Sequence, residues 1–144
     1  MRTKVQTTPV LNQGTADEKR QEIRDYFIST WELYERLFEV LKGDEAYIMR
    51  ADPLRHPLIF YLGHTATFFV NKLSLAKIIN ERVNPEFESA FAIGVDEMSW
   101  DDLNDKNYTW PAVADVFQYR NEVRAVIEKV IDELPLKMPI AWND

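Results

Sequence analysis

Two stretches of this chain repeat apolar side chains at steps of three and four residues, the period of a helix with one buried face, and a stretch between them is apolar on more than one face early on. In the first, Ile23, Phe27, Trp31, Tyr34, Phe38 and Leu41 line up on one side. Thr15 stands three residues before Glu18, the spacing of a capping box, and Gly43 suits a left-handed stop. The spacing therefore predicts a helix from residue 15 to about residue 42. A second is predicted over 57–82, with Pro57 in its first turn and Asn84-Pro85 ending it. A third is predicted over 110–134, capped by Thr109, with Val113, Val116, Phe117, Arg120, Val123, Ile127, Val130 and Leu134 as its stripe. The connection 44–57 has room for a helical turn at 44–50. Strand-like alternation is nowhere sustained.

The expected fold class is all-α: an up-and-down bundle of three long helices, with the fourth helix of the common form missing. Residues 1–14 read as a flexible arm and 15–144 as the incomplete bundle. At 144 residues the chain is long enough for one domain with its own core. Its 46% hydrophobic and 28% charged content excludes extensive disorder. A net charge of −7 argues against nucleic acid and against anionic membranes as partners. No apolar run reaches membrane-spanning length, and the N-terminus lacks a signal-peptide core, so a cytoplasmic location is expected.

Chemistry has few carriers here. Cysteine is absent, which removes disulfides, thiolate metal sites and cysteine nucleophiles. Only two histidines exist, His56 and His64. His64 lies mid-helix in LGHTATFF, beside Gly63, whose missing side chain permits another element to come close. Helical geometry puts Phe60, Tyr61, Phe68 and Asn71 on its side. Desolvation there favours the neutral imidazole, the form a metal binds. The plainer alternative is a core histidine hydrogen-bonded across the bundle. His56, eight residues earlier, cannot share a metal with His64 by helical spacing, and is expected to cap a helix or face solvent. Arg120, next to Tyr119, falls on an apolar stripe and needs a carboxylate or an anion if it points inward.

Segment 85–109 reads as a long ordered loop with short helical pieces. Its acidic residues Asp96, Glu97, Asp101, Asp102 and Asp105 lack the calcium-loop pattern and read as solvated charges or caps. Trp31, Trp100, Trp110 and Trp142 read as packing anchors. Phosphate-binding loops, dinucleotide fingerprints, G-x-S-x-G and H-E-x-x-H are all missing.

Four collinear strings carry a specific likeness: RHPLIFYLGHTATFFVNKL (55–73), INERVNPEFESAFAIGVDEMSWDDL (79–103), WPAVADVFQYRNEV (110–123) and LPLKMPIAW (134–142). Together they resemble the N-terminal region of the 5-histidylcysteine sulfoxide synthases, iron-dependent enzymes of ovothiol biosynthesis. The likeness covers about residues 17–144, and FAIGVDEMSWDDL sets it apart from the related ergothioneine sulfoxide synthases. It implies a DinB-like four-helix bundle, followed in the family by a catalytic domain. It implies an iron(II) held by three histidines, one of which matches His64. The other two lie in an H-x-x-x-H-x-E motif after the P-I-x-W segment, and this sequence stops at Ala141-Trp142-Asn143-Asp144 before reaching it.

On that likeness the chain is an N-terminal fragment of an O2-dependent oxidoreductase that joins cysteine sulfur to the histidine ring. It supplies one metal ligand, binds no iron and has no activity by itself. A companion segment would bring the remaining ligands. The competing expectation is a non-catalytic helical interaction module that self-associates through an exposed apolar groove.

Overall fold

A computed structural model describes residues 7–93 and 109–141. Among them the fold is all-α, with helices α1 (Ala16–Phe38), α2 (Glu45–Ile48), α3 (Leu58–Leu75), α4 (Pro85–Ala90) and α5 (Val113–Glu133). The three long helices run 23, 18 and 21 residues. Of the described residues, no helix is long and apolar enough to cross a membrane. The acidic residues Asp96 to Asp105, Trp100 and Trp142 lie outside the described residues.

By packing, the chain divides into two compact units, Met1–Val40 with Ile127–Asp144, and Leu41–Val126. In the first, α1 begins with the expected capping box: Thr15 Oγ1 accepts from the Glu18 N–H at 3.3 Å, and Glu18 Oε2 accepts from the Thr15 N–H at 2.9 Å. Donation to the carboxylate by the Thr15 N–H, joined by the Thr15 hydroxyl at 2.9 Å, holds the Glu18 carboxyl below its ordinary range. Phe27, Trp31 and Phe38 of the stripe are buried. On the helix flank, Arg24 bridges to Glu128 at 2.8 Å and to Asp132 at 2.6 Å on the last turns of α5. Arg20 donates to the Ile131 carbonyl. In the arm, the Leu11 carbonyl accepts from the Ile140 N–H at 3.0 Å.

The second unit is built on α3. Ile59, Phe60, Leu62, Ala66 and Val70 are fully buried, as its apolar composition requires. Against it pack α2 and α4, and Tyr119 and Arg120 of α5 hydrogen-bond to it, these two being buried along with Val116 and Val123.

Several boundaries differ from those the sequence predicts. Helix α1 ends at Phe38, and Gly43 (φ 81°) serves a turn before α2 rather than a helix stop. Helix α3 ends at Leu75 rather than near 82, through a complete Schellman motif: Ile78 N donates to Leu73 O at 2.9 Å and Lys77 N to Ser74 O at 3.0 Å. The left-handed position is taken by Lys77, at φ 58°. Asn84-Pro85 does not stop a helix but starts α4: Asn84 Oδ1 accepts from the Phe87 N–H at 3.1 Å, with Pro85 in the first turn. Helix α5 begins at Val113, so Thr109 is not its cap, and the Trp110 ring is stacked on Phe91 instead.

An exposed lysine in the left-handed region carries a Cβ clash that glycine lacks. Lys77→Gly is therefore expected to raise stability by about 0.5–1 kcal/mol in urea unfolding. A loss of stability would show that the Lys77 side chain contributes more than its backbone costs.

Candidate functional site

His64 sits in the second turn of α3, half-buried, with one ring face against Phe60. The two rings are nearly parallel, 11° apart with centroids 5.3 Å apart, and Phe68 lies at 6.4 Å one turn on. Phe60 and Phe68 thus flank the imidazole, as helical spacing predicts. Asn71 belongs elsewhere: its amide donates to the Glu88 carbonyl at 3.4 Å, and its Oδ1 accepts from Arg82.

The deciding contact is His64 Nδ1 to the Phe91 carbonyl, 2.7 Å. A carbonyl oxygen only accepts, so Nδ1 carries the proton and donates it. Phe91 is the C-cap of α4, where helix carbonyls have no partner within the helix. The histidine satisfies one of these. In the neutral ring the lone pair is then on Nε2. Metal-bound histidines are commonly oriented in this way, one nitrogen donating to a carbonyl or carboxylate and the other ligating.

What lets Phe91 come so close is Gly63. A Cβ built at Gly63 would lie 2.5 Å from Phe91 ring carbons, so any larger residue collides with a ring that is itself fully buried. The ring is flanked by Phe60 at 6.4 Å, Phe87 at 5.6 Å and Trp110 at 6.1 Å. Gly63 and His64 therefore act as a pair: the first admits the turn, and the second binds its carbonyl.

His56 is neither at the surface nor a helix cap. It is buried, with its ring stacked on Phe60 at 4.0 Å and edge-on to Trp110 at 6.4 Å. An imidazole is flat enough to extend an aromatic cluster, and Phe60 one turn away captures it. Arg120 is fully buried, and its Nη1 donates to the Leu62 carbonyl and to Thr65 Oγ1, each at 2.7 Å. The two acceptors bracket His64 in sequence, so these bonds tie α5 to the turn of α3 that carries Gly63 and His64. Tyr119 meets Thr67 Oγ1 at 3.1 Å.

Burial pushes the Tyr119 hydroxyl up to about 12, with the Glu88 carboxylate adding to the rise against the Thr67 hydrogen bond and Arg82. A pKa raised in the folded state contributes stability present below the unfolded value and lost as pH climbs through the folded one. Between about pH 10 and 12 the wild type should thus lose roughly 2–3 kcal/mol more than Tyr119→Phe. Parallel pH profiles of unfolding for the two proteins would contradict this.

The residues that sequence reasoning overlooked are on α4 and the loop before it. Glu88 is buried, with Oε1 accepting from the Val83 and Asn84 N–H groups at 2.9 Å each, while Oε2 pairs with Arg82 at 3.2 Å. The signal was N-P-E-F-E at 84–88, an asparagine cap and first-turn proline followed by acids, legible as a helix start. Arg82 and Glu88 also line an open cleft of about 630 Å³ with Asn71, Lys72 and Ser74. His64 is not in its wall.

A family model described as the DinB superfamily matches residues 26–142. The chain belongs to the DinB superfamily. No curated protein matches it. For a metal-binding role in this DinB chain, His64 fits as a single donor, with the right nitrogen free and an orienting carbonyl behind it. Among the described residues no group of three His, Asp or Glu could hold a metal ion.

Proposed function

We propose that this DinB-superfamily chain is the bundle portion of a non-heme iron(II), O2-dependent 5-histidylcysteine sulfoxide synthase. His64 Nε2 serves as one of three metal ligands. The other two come from a histidine-bearing segment outside this sequence. When bound, the iron would activate O2 for joining cysteine sulfur to the histidine ring with sulfoxidation, in the cytoplasm.

The observation that supports the reading is the 2.7 Å bond from His64 Nδ1 to the Phe91 carbonyl, which reserves Nε2 for coordination. The resemblance of the strings around His64 and across 79–142 supplies the reaction. The chain's own residues contribute orientation. Gly63 and Phe91 place the carbonyl, Phe60 and Phe68 shield the ring, and Arg120 braces the turn that carries it.

The test is anaerobic iron(II) binding by the chain combined with a segment carrying H-x-x-x-H-x-E. Stoichiometric iron is expected only for the combination, and His64→Ala should abolish it. Iron retained by the His64→Ala combination would remove His64 from the site.

A second reading is a non-catalytic interaction module. It is favoured by apolar side chains left exposed along α3, Phe68 at 42% and Leu75 at 77%. Under this reading the chain self-associates with rising concentration, and Phe68→Lys/Leu75→Lys dissociates it. A concentration-independent monomer in sedimentation would eliminate it.

A further inference from the structure

We propose that Glu88, with Arg82 and Asn71, forms a positioning clip that sets the tautomer of His64 through α4. The functional consequence rests on His64 being a ligand, but the clip itself is testable without a metal.

A carboxylate as buried as Glu88, at 2% exposure, is costly unless it is both hydrogen-bonded and paired. Here both conditions hold. Oε1 takes the Val83 and Asn84 N–H groups, the backbone donors just ahead of α4. Oε2 faces the Arg82 guanidinium at 3.2 Å, without the geometry of a hydrogen bond. Arg82 in turn donates to Asn71 Oδ1, and the Asn71 amide donates to the Glu88 carbonyl at 3.4 Å. The circuit therefore closes on itself: α3 through Asn71, the loop through Arg82 to Asn84, and α4 through Glu88.

Its position explains its consequence. Asn71 is two turns beyond His64 on α3, and Phe91 is one turn beyond Glu88 on α4. A helix of six residues does not hold its own geometry in water. The place of the Phe91 carbonyl is thus set by two anchors. One is the Phe91 ring against Gly63. The other is the clip at the opposite end of α4. Loosening the clip lets the carbonyl leave Nδ1, and the ring reverts toward the Nε2–H form, which has no lone pair to offer at Nε2. Glu88 is therefore a positioning residue, acting on the imidazole without touching it.

The experiment is long-range 1H–15N NMR of the imidazole in the whole chain, without metal, at a pH where the ring is neutral. The wild type is expected to show His64 as the Nδ1–H tautomer. In Glu88→Ala the ratio of Nδ1–H to Nε2–H should fall about tenfold, the effect of losing one hydrogen bond. Glu88→Gln, whose carbonyl still accepts from Val83 and Asn84, should retain most of the ratio. Thr15→Ala, a cap substitution in α1, should lower stability and leave the tautomer unchanged. If Glu88→Ala does not fold, Asn71→Ala carries the test, with a smaller shift in the same direction.

A wild-type ring in the Nε2–H form overturns the proposal. So does a tautomer ratio untouched in folded Glu88→Ala or Asn71→Ala. Should the tautomer respond while iron binding survives His64→Ala, the clip stands and the metal reading falls. Should iron binding need His64 while the tautomer ignores the clip, the reverse holds.

Discussion

Phe91→Ala should lower stability by about 3–5 kcal/mol, and Gly63→Ala by about 1–3 kcal/mol, yet the double variant should lose clearly less than the sum. Phe91 is fully buried, with Phe60, Phe87 and Trp110 around it, so truncation leaves a cavity that these rigid rings fill only in part. At Gly63 the sign is less obvious, because alanine is the better helix former by about 1 kcal/mol. The collision decides it. The new Cβ would stand 2.5 Å from the carbons of a ring that is fully buried among Phe60, Phe87 and Trp110. Relieving that overlap means moving α4, which also pulls the Phe91 carbonyl from His64. With alanine at position 91 the ring is gone, and the new methyl enters vacated space. Urea unfolding of the two single variants and the double variant measures the coupling. Additive losses would mean that the two residues do not oppose each other as the geometry demands.

The second large effect is expected at Arg120. Arg120→Ala should cost about 3–5 kcal/mol, through lost packing of a fully buried side chain and loss of two charge-assisted hydrogen bonds. Arg120→Met keeps most of the stem and should cost less. The bond to Thr65 predicts coupling: after Thr65→Val, the Arg120→Met substitution should hurt by roughly 1 kcal/mol less than it does in the wild type. Equal losses in the two backgrounds would show that the Thr65 contact contributes nothing. Since Arg120 braces the turn that carries Gly63 and His64, its loss should also weaken any metal held by His64.

The two apolar stripes translate directly into α1 and α5, and the broadly apolar stretch between them into α3, because a helix's buried face is a local property of residue spacing. Thr15 and Glu18 form their capping box for the same reason: both partners lie within one turn. The errors occur where a residue type has two uses. Gly43 is left-handed but in a turn, and Lys77 takes the left-handed cap that a glycine usually supplies. Asn84-Pro85 reads equally as the end of one helix or the start of another, and only the hydrogen bond from the Phe87 N–H to Asn84 Oδ1 separates the two. His56 looked like a surface residue because imidazole is polar; the flat ring is instead stacked on Phe60.

The residues alone determined that the chain is helical, that no thiolate chemistry exists in it, and that His64 is its one mid-helix imidazole with an aromatic flank. Each of these follows from composition or from contacts within a few residues along the chain. Which nitrogen of His64 holds the proton was decided only in three dimensions, because the carbonyl that takes it belongs to Phe91, 27 residues away. That carbonyl arrives only where Gly63 leaves room and Glu88 ties down α4, and no local pattern records a meeting between such distant parts of a chain.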